Sequence, residues 1–545
     1  AFYRRALKLP LGHCSRSPAL LALGSMAGPL LCIATLLPAA SAAPVVVGLT
    51  GMASSLDPTD GSTPWSLVSH GIAEKLFTVD KMGQVVPQMA ETVTRIDTYT
   101  WTVTLAGGKT FSDGQAVLAE HVVTALTTQN AENPNGNDAL GEMTVTKVND
   151  STIQIVSTIA HPAMDAALAN WVFVIFLKSG DNYIYSGPYM VESMTPGDTI
   201  QLAPNAYYTD GPTLPVTIKK YSSGDALADA LKAKQVDMAF HLPIDSLAEV
   251  DAVEGVTTKS FDVGYLYMMF HNTRSTSPLS DLNVRQAVDL IIDRKALRQA
   301  LQGGDETRSL FLEDTPYLKP DASGTLQEDQ SAAEDLLTNA GWLLENGKRM
   351  KNGIELSLTL YSYPFRPDLG TMRPLIQASL ESLGITVNGG DVCLWEDAYA
   401  AILADNDYDL LMWAQHTLPN GDPQWFLNAF FRGDPMDSRN YAGINSSTVD
   451  SLLDALALAG HANNERVNAA MAVHTEILDE VAVSSLVFPE WHVGLSERLA
   501  AYDPWGSDYY VIRSDFEASF ASTPAPTANP TPAPTRAPTP APTPA

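Results

Sequence analysis

Apolar residues in this chain recur with the period of a half-buried strand in the stretch "TYTWTVTL". Tyr99, Trp101, Val103 and Leu105 occupy every second position, and threonines fill the positions between them. Alternation of this kind predicts a strand with one face on a hydrophobic core and the other in solvent.

Helical spacing follows directly and then alternates with further strands along the chain. In "SDGQAVLAEHVVTAL" the apolar positions Leu118, Val122, Ala125 and Leu126 share one helical face. The same pattern predicts further helices in "ALADALKAK", "LNVRQAVDLII" and "MRPLIQASLESLG", and strands in "VDMAF", "ELSLTLYSY" and "ITVNG". This order predicts an α/β fold and not a helical bundle or a β-sandwich.

Two local signals refine this prediction. "SGPYMVESMTPGDTIQLAPNAYYTDGP", residues 186–212, predicts two short strands around a Pro-Gly-Asp turn. Asp293 is placed to cap a helix that Gly303-Gly304 would end.

Composition narrows the classes of partner. The chain has 545 residues, 45 % hydrophobic and 17 % charged, which predicts a soluble globular protein of about three domains or lobes. The formal net charge of −29 would repel phosphate backbones, so no nucleic-acid partner is expected. Solubility is the simplest interpretation of so acidic a composition.

The N-terminal segment is basic, then apolar from Leu20 to Leu37, and ends in the small residues Ala40-Ser41-Ala42. This arrangement predicts a secretory signal over residues 1–42, with a membrane anchor as the alternative. Beyond it Cys393 is the single cysteine of the sequence, so we expect no internal disulfide and no cysteine metal cluster.

The C-terminal segment, residues 521–545, consists largely of proline, threonine and alanine. Since it has little to bury, we expect a disordered tail. A passive tail is the simpler interpretation, and an O-glycosylated stalk is the alternative.

No spacing in the sequence matches a catalytic motif. G-x-S-x-G, G-x-G-x-x-G and H-E-x-x-H are all absent, and the ten histidines form no pair at i, i+2 or i, i+4. We therefore predict no enzyme activity, no cofactor and no metal site built from the chain alone.

Six stretches, taken in order, resemble the extracytoplasmic solute-binding proteins of ABC importers, family 5, the peptide and nickel family. They are "SSLDP" with "EKLFTVDKMGQVVPQMAE", "TYTWTVTLAGGKTFSDGQAVLAEHVV", the 186–212 hairpin, "MMFHNTRSTSPLSDLNVRQAVDLIIDRKAL", "AEDLLTNAGW" and "YDLLMWAQHTLPNGDPQWFLNAFF". The resemblance covers roughly residues 45–520.

The resemblance implies a two-lobed periplasmic-binding-protein-like fold (class II type) with an extra N-terminal subdomain. Lobe I would comprise residues 43–265, with the subdomain at about 85–180, and lobe II residues 266–490. Residues 491–520 would return to lobe I. The implied protein is a periplasmic or extracellular monomer that passes a peptide-like solute or a nickel-type chelated metal to ABC permease subunits. The hairpin would then be scaffold.

The sequence departs from the family where ligands are held. Peptide-binding members use an aspartate for the ligand's ammonium, and here Leu418-Pro419 stand in that place, with Asp422 the nearest acid. The aromatic residue that nickel-binding members carry nearby corresponds to Thr417. Neither ligand class is therefore favoured.

Six residues are candidates for ligand binding: Trp171, Tyr363, Arg366, His416, Thr417 and Asp422. Tyr363 and Arg366 follow a strand end, where α/β sheets present ligand groups, and Arg366 can hold a carboxylate bidentately. His416 and Asp422 flank a turn after another strand and form an amine- or metal-seeking pair. Core packing for Trp171, a solvated loop for Arg366 and a turn-forming role for Asp422 are the alternatives.

Two other functions remain open at this point. One is a secreted enzyme on the same scaffold, and the other is a binding or adhesion receptor displayed on the Pro/Thr stalk.

Overall fold

The computed structural model describes residues 43–519 except 82, 181, 314, 319–327, 364–365, 392–396, 435, 437–438 and 461–463. The predicted signal, the predicted tail and Cys393 lie outside the described residues. None of the helices in the described ranges combines the length and hydropathy that crossing a bilayer requires.

Lobe I is built around a seven-stranded sheet, which a four-stranded sheet and two two-stranded sheets accompany. Its strands and helices are β1 (Val45–Leu49), α1 (Thr63–Ser69), β2 (Phe77–Val79), β3 (Val85–Pro87), β4 (Ala90–Arg95), β5 (Thr100–Leu105), α2 (Ala119–Glu132), α3 (Gly136–Leu140), β6 (Met143–Asn149), β7 (Thr152–Ser157), α4 (Met164–Leu168), β8 (Phe176–Ser179), β9 (Asn182–Tyr185), β10 (Tyr189–Thr195), β11 (Thr199–Pro204), β12 (Val216–Lys220), α5 (Gly224–Lys232), β13 (Met238–Phe240), α6 (Leu247–Asp251) and β14 (Val256–Asp262).

Lobe II is built around a six-stranded sheet. Its strands and helices are β15 (Tyr265–His271), α7 (Leu282–Ile291), α8 (Arg294–Ala300), β16 (Asp305–Glu306), α9 (Gln330–Asn339), β17 (Leu343–Glu345), β18 (Lys348–Lys351), β19 (Ile354–Glu355), β20 (Ser357–Ser362), α10 (Pro367–Ser382), β21 (Thr386–Asp391), α11 (Asp397–Asp405), β22 (Leu410–His416), α12 (Gln424–Phe431), α13 (Ser447–Leu458), α14 (Glu465–Asp479) and β23 (Val483–Phe488). The chain then returns to lobe I in β24 (Glu490–Ser496).

Sheet order shows how the chain passes between the lobes. The lobe I sheet has the order β10-β11-β12-β1-β13-β24-β14, and the lobe II sheet has the order β16-β23-β15-β22-β20-β21. Two short connections join them: Val263-Gly264 between β14 and β15, and Pro489 between β23 and β24. Because β14 pairs with β24 and β15 with β23, these connections lie side by side, as a hinge requires.

Hydrophobic packing is continuous from one lobe to the other. A single cluster of buried residues includes Val45 of lobe I, Met269 and Leu358 of lobe II, and Trp491 between them. A second cluster lies under helices α12, α13 and α14 on the other face of the lobe II sheet. The lobes are therefore in contact.

Strand β5 confirms the strand predicted from alternation, with one correction. In β5 the side chains of Trp101, Val103 and Leu105 are buried, and the threonines between them are partly exposed. Tyr99, predicted on the buried face, is 47 % exposed. It lies in the turn before β5, where its backbone amide donates to the Asp97 carboxylate, so the strand's alternation has not yet begun.

Other local predictions have clear outcomes. The hairpin is confirmed as β10 and β11, at the edge of the lobe I sheet. Asp293 caps α8 by accepting from the Ala296 amide. That helix ends at Ala300, before the predicted Gly303-Gly304, because Gln302 already adopts a left-handed φ of 57°.

Candidate functional site

Arg366 lies at the boundary between the lobes. It follows the carboxyl end of β20 and occupies the N-cap position of α10, the helix that crosses from β20 to the parallel strand β21. Pro367 occupies the first turn of α10, where its missing N–H costs nothing, and helps to fix where the helix begins. The fold thus presents Arg366 where α/β sheets commonly bind ligands.

The Arg366 guanidinium is buried between two aromatic rings. It lies 4.7 Å from the ring centre of Tyr265, at the start of β15, and 4.8 Å from that of Trp491 in β24. Ring faces attract a cation in such positions and keep water from it. One ring comes from each lobe, so the guanidinium is enclosed by both.

Asp508 is the charged partner of Arg366. Its carboxylate accepts from Arg366 Nη2 at 3.0 Å and from the Tyr265 hydroxyl at 2.7 Å. The Asp508 segment packs on lobe I, where the Ile512 amide donates to the Ser69 carbonyl. Burial by itself lowers the pKa of Arg366, but the Asp508 carboxylate outweighs it and raises the pKa. This buried ion pair therefore joins lobe II to lobe I.

A second polar connection runs beside the first. Trp491 Nε1 donates to the Tyr267 hydroxyl at 3.0 Å, and that hydroxyl donates to Asp368 at 2.6 Å. Asp368, in the first turn of α10, lies 4.0 Å from the ring of His241, which stacks on Trp491. Burial alone would raise the pKa of Asp368, but His241 and the Tyr267 hydroxyl lower it below its usual range.

A small cavity of about 30 Å³ lies against this cluster. Its lining includes Arg366 and Asp508 together with Trp65, His70 and His241 of lobe I. The space suffices for about one or two water molecules, whereas ligand pockets usually measure about 300–1,000 Å³. The arrangement is therefore a closed one, and a solute would enter only after the lobes separate.

Three polar atoms at this cavity have no hydrogen-bond partner: Trp65 Nε1, His70 Nδ1 and His241 Nε2. Buried polar groups are nearly always paired in native proteins, so such atoms mark groups available to a ligand or to water. His241 also adopts a left-handed φ of 65°, a conformation that is uncommon outside glycine and that concentrates at functional sites.

Three other predicted site residues lie near this cluster. The Tyr363 hydroxyl accepts from the Ala414 amide at 3.0 Å, which ties it to β22. The His416 ring makes edge contacts with Tyr265 and Tyr509, and burial lowers the pKa of His416 to about 4 although Asp508 opposes the shift. The Thr417 amide donates to the carbonyl of the hinge residue Gly264 at 3.2 Å.

The remaining two predicted residues lie apart from the cluster. Asp422 binds Arg466 of α14 through both carboxylate oxygens, so it is already paired within lobe II. It also accepts from the amide of Gln424, the first residue of α12. Trp171, in the turn after α4, is partly buried against the hydrophobic core. Within the described lining of the cavity, Arg366 is the one predicted residue present.

Sequence reasoning missed the partners that make Arg366 notable. Asp508, Tyr265 and Trp491 carry no local motif, and Asp508 is separated from Arg366 by 142 positions along the chain. A signal was nevertheless available in the cluster "DPWGSDYYV", which is unusually rich in aromatic residues. In the described ranges no group of three or more histidine, cysteine or carboxylate side chains is arranged to hold a metal ion.

Comparison with protein families decides the affiliation. The model of the bacterial extracellular solute-binding proteins, family 5, matches residues 84–438, more than half of the chain. This chain belongs to that family. Members are extracytoplasmic substrate-binding proteins and are not enzymes. They bind small-molecule or peptide ligands and work with ABC permeases.

Individual relatives agree with the family. The nickel-binding protein NikA of Staphylococcus aureus is 22 % identical over 467 residues, which is 84 % of this chain and 89 % of the relative. Its crystal structure with Ni(L-His)₂ covers 86 % of this chain and 98 % of its own, at a TM-score of 0.73 and 20 % identity. The crystal structure of the oligopeptide-binding protein AppA of Bacillus subtilis, in complex with a nonapeptide, covers 86 % of this chain and 97 % of its own. Its TM-score is 0.71 and its sequence identity is 19 %. The predicted two-lobed fold is thereby confirmed, while the predicted domain boundaries and site residues stay predictions.

Proposed function

We propose that this protein captures a carboxylate-bearing solute between its lobes and delivers it to an ABC importer outside the cytoplasm. The observation that carries the proposal is the buried Arg366–Asp508 pair, which spans the lobes beside a cavity with unpartnered polar atoms. Opening the lobes would separate this pair and free a guanidinium for a ligand carboxylate. Differential contacts with a ligand would then drive closure.

The two ligands bound by the relatives share this chemistry. A nonapeptide carries a terminal carboxylate, and each histidine of Ni(L-His)₂ carries one as well. We therefore assign the carboxylate to Arg366. The solute's ammonium or cationic centre would face Asp508, which loses its partner when the pair separates. Either a peptide or a metal chelate meets both requirements, so both classes remain candidates.

The other predicted residues take supporting roles in this proposal. Tyr363 and His416 would shape the wall around Tyr265, and Thr417 would act at the hinge through its bond to Gly264. Asp422, with both oxygens on Arg466, would brace lobe II, and Trp171 would pack in lobe I.

A binding experiment tests the proposal. A nonapeptide, its C-terminally amidated form and Ni(L-His)₂ are titrated by calorimetry, and small-angle scattering follows lobe closure. Replacing Arg366 by glutamine removes a buried charge-assisted contact, so carboxylate binding should weaken at least about thirtyfold. Arg298→Gln is the matched control, because that guanidinium is largely exposed and pairs with Glu306.

Two results would contradict the proposal at different levels. Absence of heat and of any change in scattering with every probe would refute solute capture. Equal binding of the free and amidated peptides would leave capture intact and remove the carboxylate assignment. Adjacent permease and ATPase genes in the source genome would support import over a stalk-displayed receptor, and turnover in a hydrolase screen would favour the enzyme.

A further inference from the structure

Lobe II contains a second and much larger cavity, of about 500 Å³. Helices α7, α9 and α14 and strand β23 line it, away from the Arg366 cluster, and it is partly open to solvent. Its volume falls within the range of small-molecule sites. The lobe II sheet leaves room there because β16 pairs with only Val487 and Phe488, so the first half of β23 has no neighbouring strand on that side.

Two polar groups at this cavity lack partners. Ser485 Oγ is buried, with the residue 2 % exposed, and forms no hydrogen bond. Arg308 Nε is also buried and unpaired, although Arg308 Nη2 lies 3.5 Å from Asp289. Both groups donate hydrogen bonds, so each would be satisfied by an acceptor on a ligand.

Two guanidinium groups lie beside these donors. Asp289 is shared by two guanidinium groups, those of Arg294 and Arg308. Arg294 Nε additionally donates to the Ser485 carbonyl at 2.8 Å, which places this network beside the unpaired hydroxyl. Two guanidinium groups thus share one carboxylate at this end of the cavity, and an anionic acceptor there would be a further partner for them.

The rest of the lining is hydrophobic and leads away from Ser485. Val483 lies two residues before Ser485 in β23, where the chain advances roughly 3.3 Å per residue, and Val481 lies two residues before Val483. Leu290, Leu336 and Leu478 complete this wall. Asp479 lies at the far end, at the last position of α14, where it would repel a second anionic group.

We propose that this cavity binds an amphiphile with a single carboxylate head and an unbranched hydrocarbon tail, such as a medium-chain fatty acid. The carboxylate accepts from Arg308 Nε and Ser485 Oγ, and the tail lies along the valines and leucines. This site is independent of the solute site between the lobes.

A homologous series of ligands tests the proposal. Acetate, butanoate, hexanoate and octanoate are titrated into the whole protein by calorimetry. Burial of each added methylene should lower the dissociation constant about fourfold. Octan-1-ol, which lacks the charge, and octanedioate, which carries a second carboxylate toward Asp479, should both bind more weakly than octanoate.

Variants locate the site. Arg308→Gln should weaken octanoate binding at least about tenfold, because it removes a hydrogen bond to a charged group. Arg298→Gln, in helix α8, should leave octanoate binding unchanged. Ser485→Ala should weaken binding severalfold without loss of thermal stability, since the hydroxyl it removes has no partner in the folded protein. This second variant keeps the test decisive if Arg308→Gln does not fold.

Three outcomes would overturn the proposal. Octanoate that fails to bind at millimolar concentration would do so, as would an affinity that does not depend on chain length. Loss of octanoate binding in Arg366→Gln with Arg308→Gln unaffected would place the ligand between the lobes instead.

Discussion

Replacing Asp508 by asparagine tests whether the buried ion pair holds the lobes closed. Asparagine keeps the size of the side chain and an oxygen that accepts from the Tyr265 hydroxyl, now 2.7 Å from Asp508. It removes the negative charge that faces Arg366 at 3.0 Å. The guanidinium would then be buried between Tyr265 and Trp491 without a counter-charge.

The magnitude follows from the burial of both partners. Removing one partner of a buried ion pair typically costs about 3–5 kcal/mol, because the other charge stays desolvated. In the open form Arg366 would regain water, so the cost falls on closure and not on folding. Since about 1.4 kcal/mol is a factor of ten, the ratio of open to closed molecules should rise roughly 150-fold or more.

Small-angle scattering of the ligand-free protein measures the effect. The radius of gyration of Asp508→Asn should exceed that of the wild type. The free energy of unfolding, measured in urea, should fall by much less than about 3–5 kcal/mol. Asp422→Asn is the matched control, since its partner Arg466 lies in the same lobe. That variant should lose global stability without opening. An unchanged radius for Asp508→Asn, with the full loss of unfolding free energy, would refute the reasoning.

Two further predictions use other features of the closed form. A Cβ at Gly421 of lobe II would lie 2.8 Å from the Gly83 carbonyl oxygen of lobe I, whereas one at Gly347, also at positive φ, would meet nothing within 4 Å. Gly421→Ala should therefore increase the radius of gyration and Gly347→Ala should not; equal radii would contradict this. Burial lowers the pKa of His271 and of His416 to about 4, so between roughly pH 6.5 and 4 the unfolded chain binds protons that the folded one does not. Unfolding free energy in urea should accordingly fall on acidification through that window, by up to about 1.4 kcal/mol per pH unit for each histidine, and a flat profile would contradict the assignment.

Elements with a strong local period were predictable from the sequence. Strand β5 buries the apolar positions that its spacing indicated except Tyr99, and helices α5 and α7 bury all of theirs. Helix α2 does so except at Leu118, which precedes it as a partly exposed N-cap residue. Residues 356–387 were predicted as strand, helix and strand, and they form β20, α10 and β21. Helix α10 nevertheless begins at Pro367, five residues before the predicted start at Met372, because a proline in the first turn favours a helix and does not block it.

The candidate site was predictable only in part, because its contacts are long-range. Arg366 was identified from its place after a strand, a rule that holds for any α/β sheet. Its pairing with Asp508 joins residues 142 positions apart, and near position 508 the aromatic-rich stretch "DPWGSDYYV" was the only signal. For Asp422 the sequence could not distinguish a ligand-binding carboxylate from a structural one, because its ion-pair partner Arg466 lies 44 positions away along the chain.

Separating Arg366 from Asp508 sets a chemical requirement on any solute that enters between them. A neutral guest would leave two desolvated charges, each costing several kcal/mol. A guest with a carboxylate alone would satisfy Arg366 and leave Asp508 with only the Tyr265 hydroxyl. A dipolar guest replaces both partners at once, and so does a metal chelate with carboxylates around a cation. Because a solute enters only open molecules, the ion pair lowers the apparent affinity for every solute in proportion to the open fraction. It lowers the affinity further for neutral or singly charged solutes, which leave a charge without a partner. Under the proposed function, selectivity for dipolar solutes follows from the ion pair itself.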